Sequence, residues 1–239
     1  MACIERSCRR ELCSDSSEVR LGIRMRRTGK SDGGVVVLKL GGSLLSLPDL
    51  HVRLGVLLVE LSEQRVVIVT GGGIAADRIR MLDDRLRLSA VQCHRDAIGT
   101  MSFSAGVLVR TGMGLRLATD RRSAESIWAS GQVAVLSTAE FLGGEGRSVY
   151  ASLPESWLVT SDSIAASIAD SWGAELLILG KSCDPEGTSL GALSLAGMVD
   201  GWLEKLPGRF QLEWCNLRGS LSHRQVIQRG TAVDRGRNS

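Results

Sequence analysis

Apolar positions change their period along this chain, from short unbroken runs to recurrences every three or four residues, and glycine-rich turns mark several of the changes. Residues 35–40, Val-Val-Val-Leu-Lys-Leu, form the first run and predict a strand. In 49–63, Leu50, Leu54, Leu57, Leu58 and Leu61 recur at helical spacing opposite Arg53 and Glu60, with Pro48 and Asp49 suited to the helix start. A strand over 66–70 follows, then Gly71, Gly72 and Gly73. The next helix is expected over 74–88, with Ile74, Ile79 and Leu82 inward and Arg78, Arg80 and Arg85 outward. Further on, the pattern predicts a helix over 90–110, strand 115–118, helix 123–130, a buried strand 133–136 and a loop over 143–154. Thr160 or Ser161 can cap an alanine-rich helix that runs to Asp170 and ends by Gly173. Strand 175–181, a turn at Asp184-Pro185-Glu186-Gly187, a helix near 198–206 and a strand over 210–217 complete the series. Strands alternating with helices imply an α/β fold, a three-layer αβα sandwich around a mostly parallel sheet. Ligands in such a fold bind beyond the carboxyl ends of the strands.

A chain of 239 residues, 44% of them hydrophobic, can bury a full core, and one domain over 34–218 is expected between basic tails at 1–33 and 219–239. The net charge of +3 resides in those tails: residues 1–30 and 218–239 each carry +4, which leaves 31–217 at −5. Tail charge without interleaved aromatics, only 4% of the chain, does not make a specific nucleic-acid groove, so solvated disordered ends are expected. Cys3, Cys8 and Cys13 lie among arginines and serines without the apolar stretch of a secretory signal, and Cys93, Cys183 and Cys215 are isolated. No Cys-x-x-Cys pair or His/Cys cluster has metal spacing, so no protein-held metal is expected. Reduced thiols and the lack of any apolar run near the ~20 residues that cross a bilayer point to a cytoplasmic protein without membrane attachment.

Candidate chemistry concentrates at the two glycine turns that directly follow strands, Gly41-Gly42-Ser43 and Gly71-Gly72-Gly73. Glycines let a backbone approach an anion, and a helix start beyond them offers unpaired N–H groups, so two such turns on neighbouring strands suggest a donor and an acceptor phosphate facing each other. Lys39 ends the first strand, where it can reach between them. It is one of only four lysines, with Lys30, Lys181 and Lys205, against 25 arginines, which suggests that a compact ammonium is needed there.

The run Lys39-Leu40-Gly41-Gly42-Ser43, the Gly71-Gly72-Gly73 turn and the aspartate of Thr160-Ser161-Asp162, in this order and spacing, resemble the amino acid kinase family from about Val35 to Leu217. The resemblance implies that Lys39, Gly41, Gly42 and Ser43 sit at the donor phosphates of Mg²⁺-ATP, that Gly71, Gly72 and Gly73 receive the acceptor, and that Asp162 orients Lys39. The runs Trp157-Leu158-Val159-Thr160-Ser161-Asp162-Ser163-Ile164-Ala165, Gly71-Gly72-Gly73-Ile74-Ala75-Ala76-Asp77 and Cys93-His94-Arg95-Asp96-Ala97-Ile98 look most like one branch. That branch is the kinase of methanofuran biosynthesis that converts an (aminomethyl-furanyl)methyl phosphate to its diphosphate. Its implied acceptor contacts are His94 at the phosphate or ring and Asp77 at an amine, and a homo-oligomer is the family expectation. Where many members carry an acidic turn, this chain has Gly180-Lys181-Ser182-Cys183-Asp184, so Lys181 either reaches the ATP phosphates or is a solvated strand end. Taken alone, Asp162 and Asp77 also read as first-turn acids that complement a helix dipole, and His94 as a half-buried surface residue.

Two other classes compete. Gly71-x-Gly73-x-x-Ala76 satisfies a dinucleotide-binding pattern, but an earlier strand and helix precede it and Asp96 lies in helical sequence rather than at a strand tip. An oxyanion storage or sensing protein of the same fold would keep the basic glycine-lined pocket without transfer, and retention of both Lys39 and Asp162 favours the enzyme. Isopentenyl phosphate, nucleoside monophosphate and amino acid kinases of the family share the phosphate machinery and remain alternatives for the acceptor.

Overall fold

A computed structural model of the chain describes residues 33–219 and 224–229. Seven strands form one sheet: β1 (Val35–Leu40), β2 (Arg65–Thr70), β3 (Leu115–Ala118), β4 (Val133–Leu136), β5 (Leu176–Lys181), β6 (Gln211–Asn216) and β7 (Arg224–Val226), in the order β3-β4-β2-β1-β5-β6-β7. All neighbours are parallel except β6 and β7. The chain leaves β1 toward β2 on one side and returns to β5 on the other, so the strand order reverses at β1 and β5. Such a reversal opens a crevice at the carboxyl ends of its two strands, where Lys39 and Lys181 lie.

Helices cover both faces. The central strands are buried on both sides, which explains their continuous apolar runs rather than an alternation with polar residues. Val36, Leu38 and Leu40 pack with Leu54, Leu57 and Leu58 of α1 (Leu50–Glu60), whereas Val35 and Val37 pack with Ala165, Ile168 and Ala169 of α7 (Ser161–Ser171). Lys39 shares the parity of Val35 and Val37, so the strand's two-residue period directs it toward α7. The predicted helices over 90–110 and 123–130 are α3 (Ala90–Val109), capped by Ser89, and α4 (Arg121–Ala129), started by an Asp120–Ser123 capping box.

Four expectations from the sequence are corrected. Helix α2 (Gly73–Leu86) buries no residue, and Ile74 and Leu82, expected inward, are 67% and 43% exposed. The helix lies chiefly against α3 rather than the sheet, and small Ala76 faces inward beside Gly72. The loop over 143–154 contains α6 (Arg147–Ala151), directly after α5 (Thr138–Gly143), which ends at the loop's first residue. Near 198–206 only a 3-10 turn, Leu203–Lys205, forms, and the helix lies earlier as α8 (Leu190–Leu195), because Gly197 turns the chain with φ +67°. Finally, 224–229 are not a free tail: β7 pairs with β6, and Ile227 is only 3% exposed in the core. The rest of both expected tails lies outside the described residues.

Ile227 is thus a core side chain beyond the expected domain boundary. Ile227→Ala should cost about 2–4 kcal/mol in urea unfolding, whereas Val226→Ala, at a position 53% exposed, should stay within about 0.5 kcal/mol.

Candidate active site

Two loops meet at the carboxyl ends of β1 and β2. Gly41 N–H donates to Gly180 O and Gly71 N–H donates to Leu40 O, both at 2.8 Å, which ties each turn to the neighbouring strand end. Gly42 and Gly73 then touch backbone to backbone: a side chain at Gly42 would collide with the Gly73 main chain, and one at Gly71 would lie 2.7 Å from Gly42 N. Gly73 also holds φ +58°, in the left-handed region. After Gly41 the chain forms a 3-10 turn, Gly42–Ser46, and after Gly72 it opens α2. The two predicted phosphate loops are therefore one continuous backbone surface.

Lys39, Asp162 and Lys181 converge beside it. Asp162 occupies the first turn of α7, and Lys39 Nζ approaches its Oδ1 to 2.8 Å as an ion pair. Lys181 Nζ donates to Asp162 Oδ2 at 2.8 Å and to Met198 O at 2.7 Å, and sits 5.3 Å from the Trp214 ring centre. Lys181 is not a solvated strand end. Burial alone would raise the Asp162 carboxyl, but Lys181 and Lys39 together pull it down to about 2. Burial lowers the Lys39 ammonium, against the opposing pull of Asp162, and nearby Lys181 lowers it further.

The start of α7 is held from outside by Asp200, which the sequence reading did not single out. Its carboxylate accepts from Thr160 N (3.0 Å), Thr160 Oγ1 (2.7 Å), Ser163 N (3.1 Å) and Ser163 Oγ, and from the backbone of Trp202 and Leu203. Thr160 does precede the helix as expected, but its hydroxyl donates to Asp200 instead of capping. The acid that accepts from the Ser163 amide in the first turn of α7 comes from another segment.

A cavity of about 300 Å³ opens between the loops, α2, α3 and the start of α7, lined by Gly42, Ser43, Gly71, Gly72 and Gly73 among others. Asp77 and His94 both border it. The Asp77 side chain is 72% exposed at the rim, where its Oδ1 lies 3.7 Å from Arg80. His94 is buried, stacked flat against Tyr150 at 6.2 Å, and burial lowers its imidazole, which keeps it neutral near pH 7. The triad itself does not line this cavity; Ser161, the neighbour of Asp162, does. Ser43 Oγ donates to Ser182 Oγ at 3.4 Å, linking the first loop to the one after β5. Arg80, expected outward, and Trp157, quoted only in a family-like run, both belong to the cavity wall.

For Mg²⁺-ATP, the two lysines and the glycine backbone suit a chain of phosphates. Among the described residues no three His, Cys, Asp or Glu side chains cluster to hold a metal, and Asp162 is already engaged by both lysines. Among the described residues no helix is long and apolar enough to cross a membrane.

No family model matches this chain, and no curated protein matches it in sequence. Solved structures do resemble it. Uridylate kinase from Archaeoglobus fulgidus superposes with a TM-score of 0.56 at 18% identity, covering 80% of this chain and 97% of that one. UMP kinase from Ureaplasma parvum gives 0.55 at 13% identity (79% and 92% covered), and UMP kinase from Bacillus anthracis 0.51 at 14% (82% and 99%). These proteins have the amino acid kinase fold, and so does this chain.

The charge cluster makes a prediction about acid stability. Asp162 has a folded-state pKa of about 2 against an ordinary 3.8, so its ionised form contributes about 2 kcal/mol above pH 4, lost as pH falls toward 2. Urea unfolding of the wild type should show that loss between pH 4 and 2. Asp162→Asn should be less stable by about 3–5 kcal/mol at pH 7, with two buried lysines left unpaired, and should lack that part of the acid slope.

Proposed function

We propose that this protein is an ATP-dependent phosphotransferase that moves a phosphoryl group onto the phosphate of a small phosphomonoester, giving a diphosphate. One observation carries the reading: Asp162 grips both Lys39 and Lys181 at the ends of β1 and β5, beside two glycine loops in backbone contact. Phosphoryl transfer asks mainly for positioning and for cancellation of charge, and a phosphate acceptor is already nucleophilic at neutral pH. No strong base is needed. When bound, ATP supplies the phosphoryl group and Mg²⁺ neutralises its oxygens. Lys39 stabilises charge on the group in transit, and Lys181 takes the donor phosphates with Gly41, Gly42 and Ser43. Asp162 holds both ammonium groups in place. Gly71, Gly72 and Gly73 receive the acceptor phosphate, with neutral His94 and rim Asp77 available to a ring and an amine.

We take the acceptor to be of the (aminomethyl-furanyl)methyl phosphate type, in biosynthesis of a methanofuran-like one-carbon cofactor. The sequence runs around Gly71, Cys93 and Trp157 support it, as does the pairing of an acid with an apolar cavity at Asp77. The second reading is a nucleoside monophosphate kinase, because the similar solved structures are kinases named for uridylate. Free Cys93, Cys183 and Cys215 agree with a reducing cytoplasm, and the exposed apolar side chains of α2 with a homo-oligomer.

Isotope-labelled ATP with a panel containing the furanyl phosphate, UMP, isopentenyl phosphate and an acylated amino acid tests the assignment. Label should appear on the terminal phosphate of a furanyl diphosphate; a hydroxylamine-trappable acyl phosphate, or preference for UMP, would replace the acceptor. Lys39→Ala and Lys39→Arg should each lower kcat by about 10²-fold or more with little change in acceptor KM. Near-normal turnover of Lys39→Arg would contradict the placement of that lysine at the moving phosphoryl group.

A further inference from the structure

The segment between α6 and α7 forms one wall of the cavity, and its shape depends on a few side-chain ties. Its own backbone bonds are local, Ser156 N to Pro154 O and Val159 N to Ser156 O. Toward α3, Glu155 pairs with Arg95 at 2.8 Å and accepts from Tyr150 Oη at 2.5 Å. Toward α2, Trp157 Nε1–H donates to Asp83 Oδ2 at 2.6 Å, and the Arg80 guanidinium sits 4.6 Å from the Trp157 ring centre. The indole is thereby fixed by its edge and by a cation–π contact, and it borders the cavity. Neither contact completes the core: Trp157 is only half-buried, and both Arg80 and Asp83 lie on a helix without buried residues.

The rest of the wall matches an aromatic guest. Ile98, Met101, Val159 and Ile164 supply apolar surface, and the charged side chains of the lining are Asp77 and Arg80 at the rim. A volume near 300 Å³ is at the small end of ligand sites and accommodates a single ring. Resting on the reading of this cavity as the acceptor site, we infer that Trp157, positioned by Asp83 and Arg80, is the specificity wall that takes the flat face of a single-ring phosphomonoester. The phosphate then lies toward the glycine loops. Selection among acceptors comes from this strap rather than from the phosphate machinery that related kinases share.

Calorimetric titration of the full chain with benzyl phosphate and butyl phosphate separates ring recognition from phosphate recognition. The wild type should bind benzyl phosphate about five- to tenfold more tightly than butyl phosphate, a ratio of the size aromatic contacts give. Trp157→Leu should bring the ratio to about one, and Trp157→Phe should keep part of it. Asp83→Ala should reduce the ratio severalfold, and Asp83→Asn, which keeps an acceptor for the indole N–H, should restore it. An unchanged ratio in a folded Trp157→Leu protein, or no binding of either probe by the wild type, would overturn the inference. Labelled ATP with the acceptor panel tests the kinase reading separately: ring-selective binding with no transfer to any acceptor rejects the kinase and keeps the wall, and transfer without ring selectivity does the reverse.

Discussion

One buried carboxylate organises this molecule's chemistry. Asp162 lies between two lysines in a nearly dry site, with side-chain exposures of 6%, 5% and 13% for Asp162, Lys39 and Lys181. Such a cluster carries one more positive than negative charge when fully ionised, and a buried net charge is costly unless an anion answers it. The protein meets part of that cost with the Met198 carbonyl and the Trp214 ring face on Lys181. What remains unanswered is positive potential on Lys39, whose ammonium burial has already destabilised. In the function proposed above, an arriving string of phosphates would restore the balance, and the excess charge that weighs on the free protein would become affinity for a polyanion.

Keeping that charge in place requires fixed supports, and the fold supplies them from four directions. The parity of β1 aims Lys39 at α7, and β5 delivers Lys181 at the crevice where strand order reverses. Asp200 anchors the first turn of α7 through both the Thr160 and Ser163 amides, so Asp162 cannot drift without breaking several bonds to a carboxylate. The contact of Gly42 with Gly73 then fixes the distance between the two loops more firmly than side chains would, because main chains in contact have no rotamers to change. Loop spacing matters when two phosphates must meet.

The residues legible in the sequence were those whose signal is local. A lysine at the end of an apolar run followed by paired glycines, and an aspartate in the first turn of an alanine-rich helix, announce themselves within a few positions. Asp200 carries no such mark, since its partner Thr160 stands 40 residues away and an acid beside Gly201 reads as an ordinary loop residue; Trp157 stands in a family-like run, but its partner Asp83 is 74 residues away. Helical periodicity misled at α2 in part: Ile79 is half-buried as expected, beside Ala75 and Ala76, but the larger Ile74 and Leu82 face outward. Strand β7 has only three residues, too few for an alternation to stand out from the basic segment around it.

Lysine at position 39 follows from the same geometry. The chain uses arginine for nearly every other positive charge, 25 against four lysines, yet two of those four meet at Asp162. A guanidinium there would place five donors in a plane and demand a fork of acceptors, whereas each Asp162 oxygen already serves one ammonium at 2.8 Å. An ammonium is a point charge that can contact a carboxylate on one side and phosphate oxygens on the other. It also loses its proton more readily when buried, which a guanidinium does not, and burial does lower the Lys39 ammonium.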